Sequence, residues 1–178
     1  APVEPHDTMV ASTAAAPYDA RGVVGVAPGA RVFSWGTTLT CSDVAKGVTQ
    51  VVRRGAKVVN LSLGFENTPC LPLWQAIAYA YTRGATVVAA SGNDGDNGNS
   101  LSYPAVYPHV VTAAAMTPGY SVAPFSNYNE WVDIAAPGVD VPVDIPLAWD
   151  RDDGIVDGRT TVSGTSFAAP KVAGAVAQ

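Results

Sequence analysis

The sequence predicts an α/β protein, a three-layer α/β/α arrangement around a mostly parallel central sheet. Two observations predict it. Short, continuous, β-rich apolar runs alternate with segments of helical periodicity, the pattern of parallel strands joined by crossover helices. Glycine and proline, 17 and 14 of 178 residues, cluster between these runs and so punctuate the elements. Hydrophobic residues make up 48% and charged residues only 14%, against about a quarter charged in an ordinary domain. That balance excludes disorder, and the length suits one domain with a substantial core.

His6 precedes a small-residue helical stretch from Met9 to Ala16. Arg31 to Trp35 reads as a strand. Ser42-Asp43 offers an N-cap and a first-turn acid for a helix whose apolar positions Val44, Val48, Val51 and Val52 recur at i, i+4, i+7 and i+8. Gly55 sits where a C-terminal glycine belongs. Lys57 to Leu63 is a continuous β-rich run, as expected of a strand covered on both faces, and Gly64 closes it. A second helix from about Leu73 to Arg83 carries Ile77, Ala80 and Tyr81 on one side, with Gly84 after it. Ala85 to Ala90 is another buried strand, leading into the polar, glycine-rich loop from Ser91 to Ser100.

Val110 to Ala114 and Val132 to Ala135 are further strands. The segment from Asp140 to Thr161 is polar, proline-interrupted and acidic, with Asp140, Asp144, Asp150, Asp152, Asp153 and Asp157. It reads as an exposed hairpin or loop and its charges as a solvated face, with a metal or a basic substrate as the alternative. A last helix, rich in Ala and Val, starts near Thr165 and runs to Gln178 without a cap.

The formal net charge is −5, and the basic residues are scattered apart from the Arg53-Arg54 pair. No basic stripe exists to neutralise phosphates, so nucleic acid is not an expected partner. No apolar run approaches the ~18 residues of a membrane span, and Ala1 to Pro5 has neither the basic nor the apolar stretch of a signal peptide. A soluble chain with no membrane partner is expected. Cys41 and Cys70 allow one pairing, but two buried thiols read the same in the sequence.

In an open parallel sheet, ligands bind beyond the carboxyl ends of the strands. Three places there carry chemistry. Ser163 to Pro170 sets Ser166 at the opening of a helix, among small residues that let a substrate backbone approach. A helix start lends its free N–H groups to a developing negative charge, so Ser166 reads as a nucleophile or as an N-cap. Asn93, in Ser91-Gly92-Asn93-Asp94-Gly95, reads as an oxyanion donor or as a turn residue. His6 is one of only two histidines, and a serine nucleophile needs such a base. His109, between Pro108 and a strand, reads as a surface or rim residue. Gly164 to Ala168 nearly matches the nucleophile elbow of α/β-hydrolases, but that family places its histidine after the serine and none follows Ser166. The order His then Ser is that of the subtilisin-like arrangement.

Six segments carry a resemblance across nearly the whole chain: His6 to Ser12, Gly25-Val26-Ala27-Pro28, Val59 to Gly64, Ala89 to Asn93, Ala136-Pro137-Gly138, and Gly164 to Pro170 with Val172-Ala173-Gly174. On these the chain resembles the subtilisin-like serine peptidases. The resemblance implies Ser166 as nucleophile, His6 as general base and later acid, and the Asn93 side chain and Ser166 N–H as oxyanion donors. Ser62-Leu63-Gly64 resembles the edge to which substrates add as an antiparallel strand. Ala90, Ser91, Gly92 and Ser102 would line the P1 pocket. Their small size implies a roomy, mostly uncharged pocket and broad specificity.

The function so implied is that of a secreted, monomeric serine endopeptidase acting on proteins or peptides through an acyl-enzyme, with no cofactor. The alternative is an inactive relative that serves as a binding or scaffold module. Three departures from the family stand out. Only five residues precede His6, so residues 1–178 are expected to form a single partial catalytic domain. It would lack the N-terminal strand with the catalytic Asp and the C-terminal helices. Asp7 stands where the family has Gly, and its side chain does not substitute for the absent carboxylate because neighbours on a helical turn do not face each other. Met9 stands where a second His is common and fills core.

The family often binds calcium after the base's helix, but within 17–22 only Asp19 is a plausible side-chain ligand and Arg21 is its neighbour. No calcium is expected there, since the ion needs six to eight oxygens. The resemblance also implies a Cys41–Cys70 disulfide, because the loops holding these residues flank the non-primed substrate cleft. Such a bridge fits a secreted protein.

Overall fold

The computed structural model describes residues 5–150 and 154–178; residues 1–4 of the opening stretch, and Asp152 and Asp153, lie outside the described residues. The elements are α1 (His6–Ala15), α2 (Cys41–Arg53), β1 (Val58–Leu61), β2 (Phe65–Glu66), α3 (Leu71–Thr82), β3 (Thr86–Ala90), β4 (Ser102–Tyr103), β5 (Val110–Met116), β6 (Ile134–Pro137), β7 (Val141–Asp144), β8 (Arg159–Val162) and α4 (Thr165–Ala177). The central sheet runs β1-β3-β5-β6 with every pair parallel, Val58 opposite Thr86, Val87 opposite Val110 and Ala113 opposite Ile134.

Successive strand side chains point to opposite faces, which divides the core in two. Val59, Leu61, Val87 and Ala89 pack under α2 and α3, against Val48, Leu73 and Ile77 among others. Val88, Ala90, Ala113 and Ala115 pack on the other face against Ala168, Ala169, Val172 and Ala173 of α4. Both faces are covered, which is why the strand sequences are continuously apolar. The predicted three layers are present.

The two outer helices are held at one end. Thr40, and not Ser42, caps α2 by accepting the Asp43 N–H at 3.4 Å. The Asp43 carboxylate in turn accepts from Thr38 N at 2.7 Å and Thr38 Oγ1 at 3.1 Å. The Thr38 N–H holds the Asp43 carboxyl below its usual range. Cys70 caps α3 through its sulfur, which accepts the Leu73 N–H at 3.4 Å. Cys41 and Cys70 thus lie at the same end of the paired helices and are joined in a disulfide, with Cα atoms 5.9 Å apart.

Three further expectations about the elements need correction. Arg31 to Trp35 is extended but is not a strand, because no neighbour offers it a ladder. A cleft of about 1080 Å³, lined by Val32, Phe33, Trp35 and by Val58, Asn60 and Ser62, adjoins both this segment and β1 at the edge of the sheet. Tyr81 faces outward, 58% exposed, and stacks on exposed His109 at 3.8 Å between ring centroids. The strand expected over Val132 to Ala135 is shifted to Ile134–Pro137.

The acidic segment does form a hairpin, β7 with β8, Asp144 opposite Arg159, but it is not simply a solvated face. Val141 and Val143 are buried with Phe167, and partly buried Met9 packs against them. The Asp144 carboxylate accepts the Val23 N–H at 3.0 Å, and Asp150, 2% exposed, accepts the Gly158 N–H. These two acids satisfy backbone donors. The two-residue strands β2 and β4, paired antiparallel, had no readable signal.

The disulfide closes a loop with a sequence separation of 29. Its reduction is expected to lower stability by roughly 3–4 kcal/mol through the entropy regained by the unfolded chain. Urea unfolding with and without reductant, with thiols counted in each state, checks this.

Candidate active site

Ser166 is the second residue of α4, whose cap position is Gly164, so Ser166 is not the N-cap. Pro170, four residues on, has no N–H to close the helical turn onto the Ser166 carbonyl. That carbonyl accepts the Ser62 hydroxyl instead, at 2.7 Å. In return Ser166 Oγ donates to Ser62 O at 3.4 Å. Ser62 directly follows β1, so the end of the edge strand is fastened to the start of α4.

Asn93 follows β3 and reaches the same helix start. Its Oδ1 accepts both Thr165 N and Thr165 Oγ1, each at 2.9 Å. Gly164 has no side chain with which to cap, and Asn93 supplies the cap from the neighbouring strand's loop. With the oxygen so engaged, Nδ2 is the group left to donate, and it lies near Gly164 at the helix start. Phe167 N donates to Gly164 O at 3.0 Å, whereas the Ser166 N–H, in the same first turn, has no intrahelical partner. Two donors therefore stand at one helix start.

His6 opens α1, and its ring lies 5.8 Å from that of Phe167, tilted by 58°. It lines the same cleft as Ser62, Leu63 and Gly64. Among the described residues no hydrogen bond joins His6 to Ser166, and the only ion pair is Arg159–Asp157. The imidazole and hydroxyl are thus brought to neighbouring, packed helices but are not hydrogen-bonded. Asp7 is exposed beside His6.

The residues expected around the P1 pocket adjoin one another. A Cβ on Gly64 would clash with Ser102 Oγ, and one on Gly92 would sit 3.3 Å from Ser102 Cβ. Buried Ser102 therefore stands between the two glycines, with buried Ala90 and Ser91 beside Gly92. Gly92 has φ +110°, a conformation that favours glycine. At this edge Glu66 pairs with Ser102 across β2 and β4. Asp94 beside it, by hydrogen bonding and by charge, holds the Glu66 carboxyl above its usual range. The small wall residues thus have an acidic neighbour pair. Asp19 Oδ1 accepts the Arg21 N–H at 3.0 Å in a local turn. Among the described residues no group of three or more His, Cys, Asp or Glu is arranged to hold a metal.

Sequence reasoning missed Thr165 as the anchor of Asn93, and the use made of the carbonyl that Pro170 frees. The second had a signal, a proline four residues after a helical serine. The first had none, since it pairs residues 72 apart in the chain.

A parallel α/β sheet with a serine at a helix start and a carboxamide fastened beside it defines a class of proteins with a candidate hydrolytic centre at the sheet's carboxyl edge. The comparisons narrow the class. The subtilase family model matches residues 2–178. The thermophilic serine proteinase of Bacillus sp. (strain AK1) is 38% identical over 97% of this chain, which covers 41% of that protein. Subtilisin Savinase of Lederbergia lenta is 40% identical over 97% of the chain, which covers 61% of it. Among solved structures, a mutant of the protease domain of PatA matches with a TM-score of 0.82 and 31% identity, over 97% of this chain and 63% of that one. The prenylagaramide maturation protease PagA gives 0.80 and 32%, over 96% and 61%. The chain belongs to the subtilase family. It spans between two fifths and two thirds of the length of these relatives.

Replacing Ser62 by Ala leaves the Ser166 carbonyl without its partner. The expected cost is about 1–3 kcal/mol of stability, and Pro170→Ala, which restores a helical N–H, should recover part of it. Urea denaturation of the two single variants and the double variant checks both statements.

Proposed function

We propose that the chain is the central part of a serine endopeptidase domain that hydrolyses peptide bonds through an acyl-enzyme on Ser166. The observation that carries this is the Asn93 carboxamide, tied by its oxygen to Thr165 with its N–H₂ near Gly164 at the start of the helix that carries Ser166. A structural cap needs only the oxygen. A donor pair aimed at one point is what a tetrahedral oxyanion requires.

In this mechanism the substrate lies extended along Ser62-Leu63-Gly64 and places its P1 side chain among Ala90, Ser91, Gly92 and Ser102. Ser166 Oγ attacks the carbonyl carbon as His6 takes its proton. The oxyanion accepts hydrogen bonds from Asn93 Nδ2 and the Ser166 N–H. His6 then gives the proton to the leaving amine, and the acyl group remains on Ser166. Water, deprotonated by His6, attacks that ester and releases the acid, returning the proton to Ser166. The hydroxyl must first exchange its long bond to Ser62 O for the imidazole. Catalytic hydrogen bonds are often long or unformed before substrate binds.

His6 also needs a carboxylate to fix its tautomer and stabilise its charged form, and lacking one costs on the order of 10⁴-fold in kcat. We assign that role to a segment outside these 178 residues. The cleft beside β1, which His6 lines, has room for an extended chain. The domain so completed acts on protein or peptide substrates as a secreted monomer, and the disulfide suits an oxidising compartment. The small wall residues favour broad specificity at P1. The second reading is an inactive binding module, and the lack of a hydrogen bond between His6 and Ser166 favours it.

Fluorophosphonate labelling of the full-length, propeptide-free protein separates the two. A single adduct mapped to Ser166, lost in Ser166→Ala, is expected of the enzyme; no adduct in a folded sample supports the binding module. Asn93→Ala is expected to lower kcat about 10²–10³-fold with KM little changed, the size seen for loss of one oxyanion donor in a subtilisin.

A further inference from the structure

We propose that Asn127 is a positioning residue for the reaction, holding the backbone on both sides of Asn93 so that its carboxamide stands at the oxyanion. The proposal rests on Asn93 being the oxyanion donor. Asn127 follows β5 and lies under the loop of residues 91–100 with no exposed surface. A buried carboxamide must satisfy both its acceptor and its donor. Asn127 spends them on this loop: Oδ1 accepts the Asp94 N–H at 2.7 Å, and Nδ2 donates to Ser100 O at 2.7 Å.

Its backbone engages the same segment. Asn127 N donates to Gly92 O at 3.0 Å, and Asn127 O accepts Ser91 Oγ at 3.2 Å. The bonds to Gly92 and Asp94 bracket Asn93, which itself reaches away to Thr165. A Cβ on Gly92 would clash with Asn127 Nδ2, so the side chain is packed directly against the loop's turning point. One buried residue thus bonds to residues 91, 92, 94 and 100, beside the backbone bonds of Ser91 N to Ala113 O and Gly95 N to Phe125 O. Without the side chain, nothing else among these bonds fixes Asp94 N or Ser100 O.

The test uses the full-length protein, with kcat expressed per site titrated by a fluorophosphonate, so that only folded, reactive molecules count. Asn127→Ala is expected to lower kcat on the order of 10²-fold with KM little changed, as for a small misplacement of a catalytic group. In an Asn93→Ala background it should cost little further, because a positioning residue acts through the group it positions. Asn127→Asp keeps the shape and carries the test if the alanine variant fails to fold. Its protonated form can donate to Ser100 O and accept from Asp94 N, and burial favours that form. The ratio of its kcat to that of the wild type should therefore rise as pH falls.

Unchanged kcat per site in Asn127→Ala, losses that multiply with Asn93→Ala, or a pH-independent ratio for Asn127→Asp would each overturn the proposal. Wild-type kcat in Asn93→Ala removes the oxyanion role of Asn93, and the positioning role falls with it. A wild-type protein that takes no label at Ser166 fails at the earlier step, the catalytic reading itself.

Discussion

The two hydrogen bonds from Thr165 to Asn93 Oδ1 are the constraint on which the site depends. They join the loop after a central strand to the first turn of the helix that packs beneath the same sheet. One carboxamide thereby does two jobs that conflict in most caps. Its oxygen satisfies helix donors that would otherwise lack a partner, and its nitrogen, near Gly164, is left for the oxyanion role proposed for it. The bonds form only because β3 and α4 lie where the parallel sheet puts them. Val88 and Ala90 of β3 pack directly on Ala168, Ala169 and Val172 of α4.

A second fastening works from the other side of Ser166. Pro170 leaves the Ser166 carbonyl open, and Ser62 takes it. The start of α4 is therefore tied to two strands, β1 through Ser62 and β3 through Asn93. Small residues allow these approaches. A Cβ on Gly64 would clash with Ser102 Oγ and one on Gly92 with Asn127 Nδ2, so only glycine allows these approaches. Packing, hydrogen bonding and chemistry are thus the same few contacts.

Much of this was legible in the sequence where the signal is periodic or local. The helix of Val44, Val48, Val51 and Val52 and the buried runs at 57–63 and 85–90 follow from side-chain direction alone. Arg31 to Trp35 was misread because β-rich composition reports what a strand prefers, not whether a neighbour is there to pair with it. The acids of 140–157 read as solvated, yet Asp144 and Asp150 accept half-buried backbone N–H groups. Composition cannot tell these from surface charges. The proposed site residues His6, Asn93 and Ser166 were named through the family resemblance, whereas Thr165 and Asn127 were not. Their roles are partnerships between residues far apart in the chain, and only the fold expresses them.

The central claim is that Asn93 and the helix start face one point in front of Ser166. A crystal structure of the full-length protein phosphonylated at Ser166 by a peptidyl phosphonate tests it most directly. The phosphonyl oxygen should lie within hydrogen-bonding distance of Asn93 Nδ2 and the Ser166 N–H, with Asn93 Oδ1 still on Thr165. An oxygen turned to solvent, or an Asn93 released from Thr165, would contradict the claim.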